Sequence, residues 1–306
     1  MRELIADPAR VHHEWDLALE PSLEIESGDI VHFELAMAGR GQVELGATVD
    51  QTSFDFATLY NLLGPVYVSG ARPGDVLEIE VLSLDPGSWG WTAILPEFGL
   101  LPEDFPEPYL RTFDLEGRSR AELSDGISIP LQPFLGTMGV HPGEPAVASP
   151  FPPHRGGGNI DTRHLVTGST LWLPVWCEGA LFSCGDPHAV QGDGEVCVSA
   201  IECDMRATLR FGLRRDVRGV PGFSVPAGVA SGDLAGYIGT MGIGPDLMAG
   251  ARQAVRLMID RLEDEHGLRR EDGYILCSLA GDLRIFEIVD AGVWNVGITL
   301  PRGVFA

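Results

Sequence analysis

The sequence predicts a mainly β fold with one long helix near residues 245–266 and long Gly/Pro-rich loops. Three observations carry this. The 39 glycines and 22 prolines are spread along the chain and punctuate short runs rich in Val, Ile, Leu, Phe and Thr. Several of those runs alternate apolar and polar residues, as half-buried strands do. Only one long stretch carries a clear helical period.

Taken in order, residues 54–63 allow a short helix. Residues 76–82, VLEIEVL, alternate apolar and acidic and predict a strand after the turn Arg72-Pro73-Gly74-Asp75. Residues 98–125 are rich in loop signals, with Pro102, Pro106 and Pro108; this stretch is either an excursion over a site or a plain surface connection. Residues 206–213 alternate again, and residues 274–279 and 293–298 read as further strands. Between residues 245 and 266 the positions Leu247, Ala251, Ala254, Val255, Met258 and Leu262 form one apolar face at spacings of three and four. Pro245 suits the first helical position, Asp246 the positive N-terminal end, and Gly267 a C-terminal stop. No repeat and no linker stands out, so residues 1–306 are expected to form a single domain, with two intertwined β subdomains divided near residue 140 as a variant.

Composition excludes several classes. With 44% hydrophobic and 21% charged residues the chain is globular. No apolar run approaches the roughly 20 residues that span a bilayer, and the N-terminus lacks the features of a secretory signal, so the expected compartment is the cytoplasm. A formal charge of -23 repels phosphate backbones and anionic headgroups. Nucleic acid and membrane partners are therefore not expected. The five cysteines form no CxxC pair, which argues against a disulfide framework or a zinc ribbon. They read as small buried hydrophobes.

Chemistry-bearing side chains concentrate in two glycine-rich stretches. Residues 153–161 hold His154, Gly156, Gly157, Gly158, Asn159 and Asp161, and residues 185–195 hold Asp186, His188, Gln191, Asp193 and Glu195. Glycine lets backbone approach a ligand, and polar loops on a β scaffold are common functional sites. Asp-Gly and Gly-Gly pairs also mark ordinary hairpins; the repetition of the pattern favours a site. Asp186 and His188, two apart, project to one face of an extended segment and could present a carboxylate and an imidazole to one cation. Glu195 could fold back toward them across the turn at 191–194. One imidazole with carboxylates suits zinc or manganese, whereas carboxylates and carbonyls alone suit calcium. Cys184 could be a nucleophile near His188, but it ends the apolar run Ala180-Leu181-Phe182 and reads as core.

Four segments resemble the acetamidase/formamidase family: GPVYVSGARPGDVLEIEV at 64–81, PFLGTMGV at 133–140, PPHRGGGNID at 152–161 and GDPHAVQGDGEVCVSAIEC at 185–203. The helix and the C-terminal run match in order, so the resemblance covers nearly the whole chain. It implies a jelly-roll-like or β-sandwich architecture, hydrolysis of short amides such as formamide and acetamide to acid and ammonia, a bound divalent ion, and a homo-oligomer (a dimer or higher). Carried over by motif, the site comprises Asn159, Asp161, Asp186, His188, Gln191 and Glu195. The chain departs from the family in two places. Residues 35–42, LAMAGRGQ, lack an acidic residue, and Tyr60-Asn61 stands where many members have His-Pro.

The expected mechanism is metal-assisted acyl transfer to water. His188, Asp186 and Asp161 would hold the ion, zinc first, with calcium or manganese as alternatives. Glu195 would be general base and then acid, with Asn159 and Gln191 beside it. Asn159 and the backbone of Gly156 to Gly158 would stabilise the oxyanion, with Gly157, Gly158 and His154 contacting substrate. The alternatives are a non-catalytic β module binding a cation or small ligand, and a homologue hydrolysing a different amide or lactam.

Overall fold

The computed structural model describes residues 1–229, 236–290 and 292–305. Among these, sixteen strands join one branched, mostly antiparallel sheet, with two further two-stranded pairs and two α-helices. The mainly β expectation holds.

The frame is a long pairing. Strand Val76–Ile94 runs antiparallel to Glu202–Arg214, from Val76 opposite Arg214 to Trp91 opposite Glu202. Its alternation works as the sequence indicates: Leu77, Ile79 and Val81 are buried. The intervening acids meet cross-strand arginines, Glu80 with Arg210 at 2.8 Å and Glu78 with Arg214 at 3.0 Å. Leu135 and Met138, near one end of the pairing order, join the same buried cluster as Phe223 and Met241 near the other. The sheet therefore curls over itself around one core. Asn295 closes it, donating from Nδ2 to the Ile160 carbonyl at 2.6 Å.

Helix α1, Leu247–His266, forms where the apolar period placed it. Asp246 is its N-cap, accepting from the Ala249 amide at 2.6 Å, so Pro245 lies one residue before the cap and not at the first helical position. Gly267 ends it in left-handed backbone (φ 64°). The buried face is centred on Gly250, Ala254, Met258 and Leu262, with Ala251 and Val255 on its flank. A Cβ on Gly242 would overlap the Gly250 carbonyl, so helix and sheet touch backbone to backbone.

Two local expectations are corrected. Residues 274–279 are not a strand; they lie in helix α2, Arg270–Ala280. A short apolar run fits either period. Here Gly273 and Cys277, four apart, are buried, the latter in the same cluster as Ile259 and Leu262 of α1. Glu271 and Asp272 favour a helix start at its positive end. Residues 54–63 are not a helix. The Asp55 carboxylate takes the Ala57 amide and the Thr58 hydroxyl, closing a turn before strand Leu62–Val68. The cysteines are free, but Cys197 is exposed and Cys177 half-buried.

Candidate active site

Strand Phe182–His188 is buried along its whole length. It pairs with Phe134–Val140 on one side and with Leu62–Val68 on the other, and His188 sits directly opposite Glu202. Asp186 and His188 do converge: His188 Nε2 lies 3.4 Å from Asp186 Oδ2 and 3.2 Å from Glu202 Oε2. Asp161 Oδ1 approaches Nδ1 of the same ring at 3.6 Å. Both Ile160 and Asp161 amides bond to the Gly136 carbonyl, which fixes the carboxylate there. Glu195 folds back because the loop before it is anchored; the Gly194 amide donates to the Phe286 carbonyl at 2.8 Å.

The ligand atoms of Asp161, Asp186 and His188 lie within 4.8 Å of one another. So do those of His188, Glu195 and Glu202, and those of Asp161, Glu195 and Asp290. All six side chains are buried. Asp161, Asp186 and Glu195 take left-handed backbone (φ 43°, 52° and 46°). Such conformations persist at non-glycine residues only where the surroundings over-determine them, and they gather at functional sites. Gly136 keeps the centre open. A Cβ there would stand 2.7 Å from Asp161 Oδ1, Asp186 Oδ2 and His188 Cε1.

Burial pushes the Asp161, Glu195, Glu202 and Asp290 carboxyls up, and their acidic neighbours push the same way. Burial would lower His188, but Glu202 and Asp186 outweigh it and hold the imidazole well above its usual range. Among the described residues, both oxygens of Asp161, Oε2 of Glu202 and Nε2 of His188 meet only other ionisable groups of the centre and make no well-aligned hydrogen bond. A buried, acid-rich centre with unsatisfied donor atoms suits a cation or shared protons.

The remaining expected residues divide. Gln191 Oε1 accepts from His188 Nδ1 at 2.9 Å and its Nε2 reaches the Asp161 carbonyl at 3.3 Å. It orients the ring and leaves Nε2 facing the carboxylates. Asn159 is already engaged: Nδ2 donates to Asp290 Oδ2 at 2.6 Å and to the Phe151 carbonyl at 3.0 Å, and Oδ1 accepts from Thr137 at 2.7 Å. His154 does not join the centre. Its ring packs edge-on against Trp15 at 4.9 Å, and burial pushes it down to about 3. The Gly156 amide donates to His154 Nδ1 and the Gly157 amide to the His154 carbonyl, so neither is available to an oxyanion. Gly157 and Gly158 lie in strand Gly157–Asn159, paired with Gly139 and Met138, where a Cβ on Gly158 would press on the His154 ring. Their smallness serves packing. Cys184 is buried and its thiol is pushed far up, which removes it as a nucleophile.

Sequence reasoning missed Glu202 and Asp290, and singled out Tyr60 only as a departure from the family. Glu202 carried a signal, an acid flanked by the core residues Ile201 and Cys203. Tyr60 stacks edge-on with Phe151 at 4.8 Å, and its hydroxyl accepts from Asn159 Nδ2 at 3.3 Å. It stands at the family departure noted above. Asp290 carried no local signal; it arrives from 131 residues beyond Asn159.

Fold and site together define a β-rich protein built around a buried carboxylate–imidazole centre. The chain belongs to the acetamidase/formamidase family, whose model matches residues 1–150 and 145–306. It is 26% identical over 247 residues to an acetamidase of Mycolicibacterium smegmatis, covering 60% of this chain and 61% of that one. It is 25% identical over 263 residues to a formamidase of Methylophilus methylotrophus, covering 68% of this chain and 65% of that one. The chain thus spans less than two thirds of the length of these relatives. The crystal structure of an acetamidase from Bacillus halodurans superposes with a TM-score of 0.86 at 29% identity, covering 100% of this chain and 98% of that one. An acetamidase from Yersinia enterocolitica gives 0.86 at 26% identity, covering 100% and 93%. Among the described residues no helix is long and apolar enough to cross a membrane.

Proposed function

We propose that this chain hydrolyses the C–N bond of amides to a carboxylic acid and ammonia, with the reaction centred on Glu195. The observation that carries this is the convergence of His188 with Asp161, Asp186, Glu195, Glu202 and Asp290 in three overlapping groups, the first two acids and His188 bordering the space opened by Gly136. Family membership supports the reaction class.

The donor set fits a divalent cation. Among the described residues, Nε2 of His188 and both oxygens of Asp161 make no well-aligned hydrogen bond, and Asp186 stands beside them. One imidazole among carboxylates favours zinc, with manganese or calcium as alternatives. These three residues would hold it, with Gln191 fixing the ring from behind. When bound, the ion supplies Lewis-acid polarisation of the amide carbonyl. Glu195 takes the proton of the attacking water as its oxygen bonds to the carbonyl carbon. It then returns a proton to the nitrogen as the C–N bond breaks. Burial raises its carboxyl, which suits return of the proton to the departing nitrogen, while a bound cation would favour the ionised form that accepts the proton of water. Asn159 acts as a positioning residue, holding Asp290 and the Tyr60 hydroxyl in place.

The test is ammonia release from short amides and lactams, before and after chelation and metal add-back. Release should fall on chelation and return with one ion. Glu195→Gln should lower kcat by roughly 100-fold or more while the fold is retained. Release indifferent to chelation removes the ion, and unchanged turnover in E195Q removes Glu195. No release from any amide sinks the hydrolase reading and leaves a binding module.

A further inference from the structure

Glu195 and Gln191 border two spaces. Besides joining the carboxylate–imidazole centre, both line a cavity of about 370 Å³. Most of its remaining wall is apolar, with Phe113, Leu123, Ile129, Val190 and Ile201. Leu123 and Ile129 come from the pair of strands Arg120–Ser124 and Ile127–Pro130, within and just beyond the loop-rich stretch of the sequence. Ser199 pins another wall, bonding through Oγ to Thr92 at 2.8 Å and to the Ala93 amide at 2.9 Å. The surroundings stay apolar outward: Val196 is exposed, and its carbonyl takes the amide of the exposed Leu100 at 2.9 Å. The charged groups at the cavity have partners. Arg163 bonds to Gln132 at 3.3 Å, and Asp193 is ion-paired with His164 at 3.5 Å and Arg284 at 3.3 Å.

Cavities that hold drug-sized ligands measure about 300–1,000 Å³ and are mostly apolar with a few convergent polar groups. Formamide and acetamide carry at most one carbon beyond the amide group and would leave most of this space to water. The geometry points to primary amides of medium-length, apolar carboxylic acids as the substrate class, with the amide carbon at Glu195 and the acyl chain in the cavity. This rests on the hydrolase reading above. The reaction balances as before: water oxygen bonds to the carbonyl carbon, the C–N bond breaks, and ammonia leaves with the proton from Glu195.

The experiment is kcat/KM for a series from acetamide to hexanamide on the whole protein, repeated with Ile129→Trp, which fills the cavity. In the wild type kcat/KM should rise about 4-fold per methylene. In I129W the ratio of hexanamide to acetamide should fall by at least about tenfold. If I129W does not fold, the wild-type series decides alone. Acetamide cleaved as well as hexanamide would overturn the proposal while the hydrolase reading stands; so would a ratio that I129W leaves unmoved. If no amide is cleaved, calorimetric titration with hexanamide separates the two. Binding that I129W abolishes keeps the acyl cavity and fails only the hydrolase reading; no binding overturns both.

Discussion

Gly136 shows how much a missing side chain can contribute. Its neighbours in strand Phe134–Val140 are buried, so the position could pass for ordinary core. Yet any Cβ there would crowd Asp161, Asp186 and His188 at once. Its backbone is not in the left-handed region, so Gly136→Ala introduces no conformational strain of its own. The expected outcome is a folded protein whose cation affinity falls by roughly 10–100-fold, an effect typical of disturbing groups around metal ligands. Calorimetric metal titration checks this without reference to turnover; unchanged affinity would place the ion elsewhere. Asn159 makes a complementary point. A polar side chain in a glycine-rich motif looks like a substrate contact, but its donors and acceptor are spent on Asp290, Phe151 and Thr137.

At the scale of elements, the long strands carry the site and the helices do not. The centre is assembled from Phe182–His188, the loop after it that carries Glu195, the start of Glu202–Arg214, and the segments that follow Gly157–Asn159 and Asp282–Glu287. Helix α1 packs on Tyr237–Gly244 and Trp294–Pro301 through Ala254, Met258 and Leu262, in a cluster separate from the main core. Its cap can therefore be altered without touching the chemistry. Asp246→Ala should cost about 1 kcal/mol of stability, read as a lower urea midpoint, with kcat unchanged. A parallel loss of activity would mean that α1 couples to the site. The short helix expected at 54–63 fails on the same scale of forces. A local Asx turn at Asp55 supplies the hydrogen bonds a helix start would otherwise need.

The whole molecule holds an unusual concentration of buried acid, and this sets how its stability responds to pH. Burial raises Glu287 from its ordinary value of 4.5 to about 7. In the folded state it keeps a proton that the unfolded chain surrenders above about 4.5. Its stabilising contribution is thus fully present below that pH and is lost as pH rises through 7. Asp161, Glu195 and Asp290 shift in the same direction by burial. Below about pH 6.5 the buried His154, held down to about 3, works the other way, so the metal-free protein should show a lower urea midpoint at pH 8 than at pH 6.5. A divalent cation that binds only the folded state should recover the difference. A midpoint that rises with pH in the presence of chelator would show that these groups ionise freely in the fold.

By itself the sequence determined the features that depend on neighbours along the chain. The alternation at 76–82 and 206–213, the apolar period of α1 and its glycine stop all follow from local spacing, and the structure carries each of them. The approach of Asp186 to His188 is of the same kind, because two residues in one strand share a face. What only the tertiary structure decided needs partners distant in sequence. The strand-like run at 274–279 became helix α2 because its small residues pack against α1. Glu202 entered the centre by pairing register, Tyr60 by way of Asn159, and Asp290 through the closure of the C-terminal strands over Ile160. His154 sits in the same motif as Asn159, yet chain direction turned its ring to Trp15. Sequence spacing constrains a few residues at a time, whereas a buried ionic centre is set by which strands meet, and that is a property of the closed sheet.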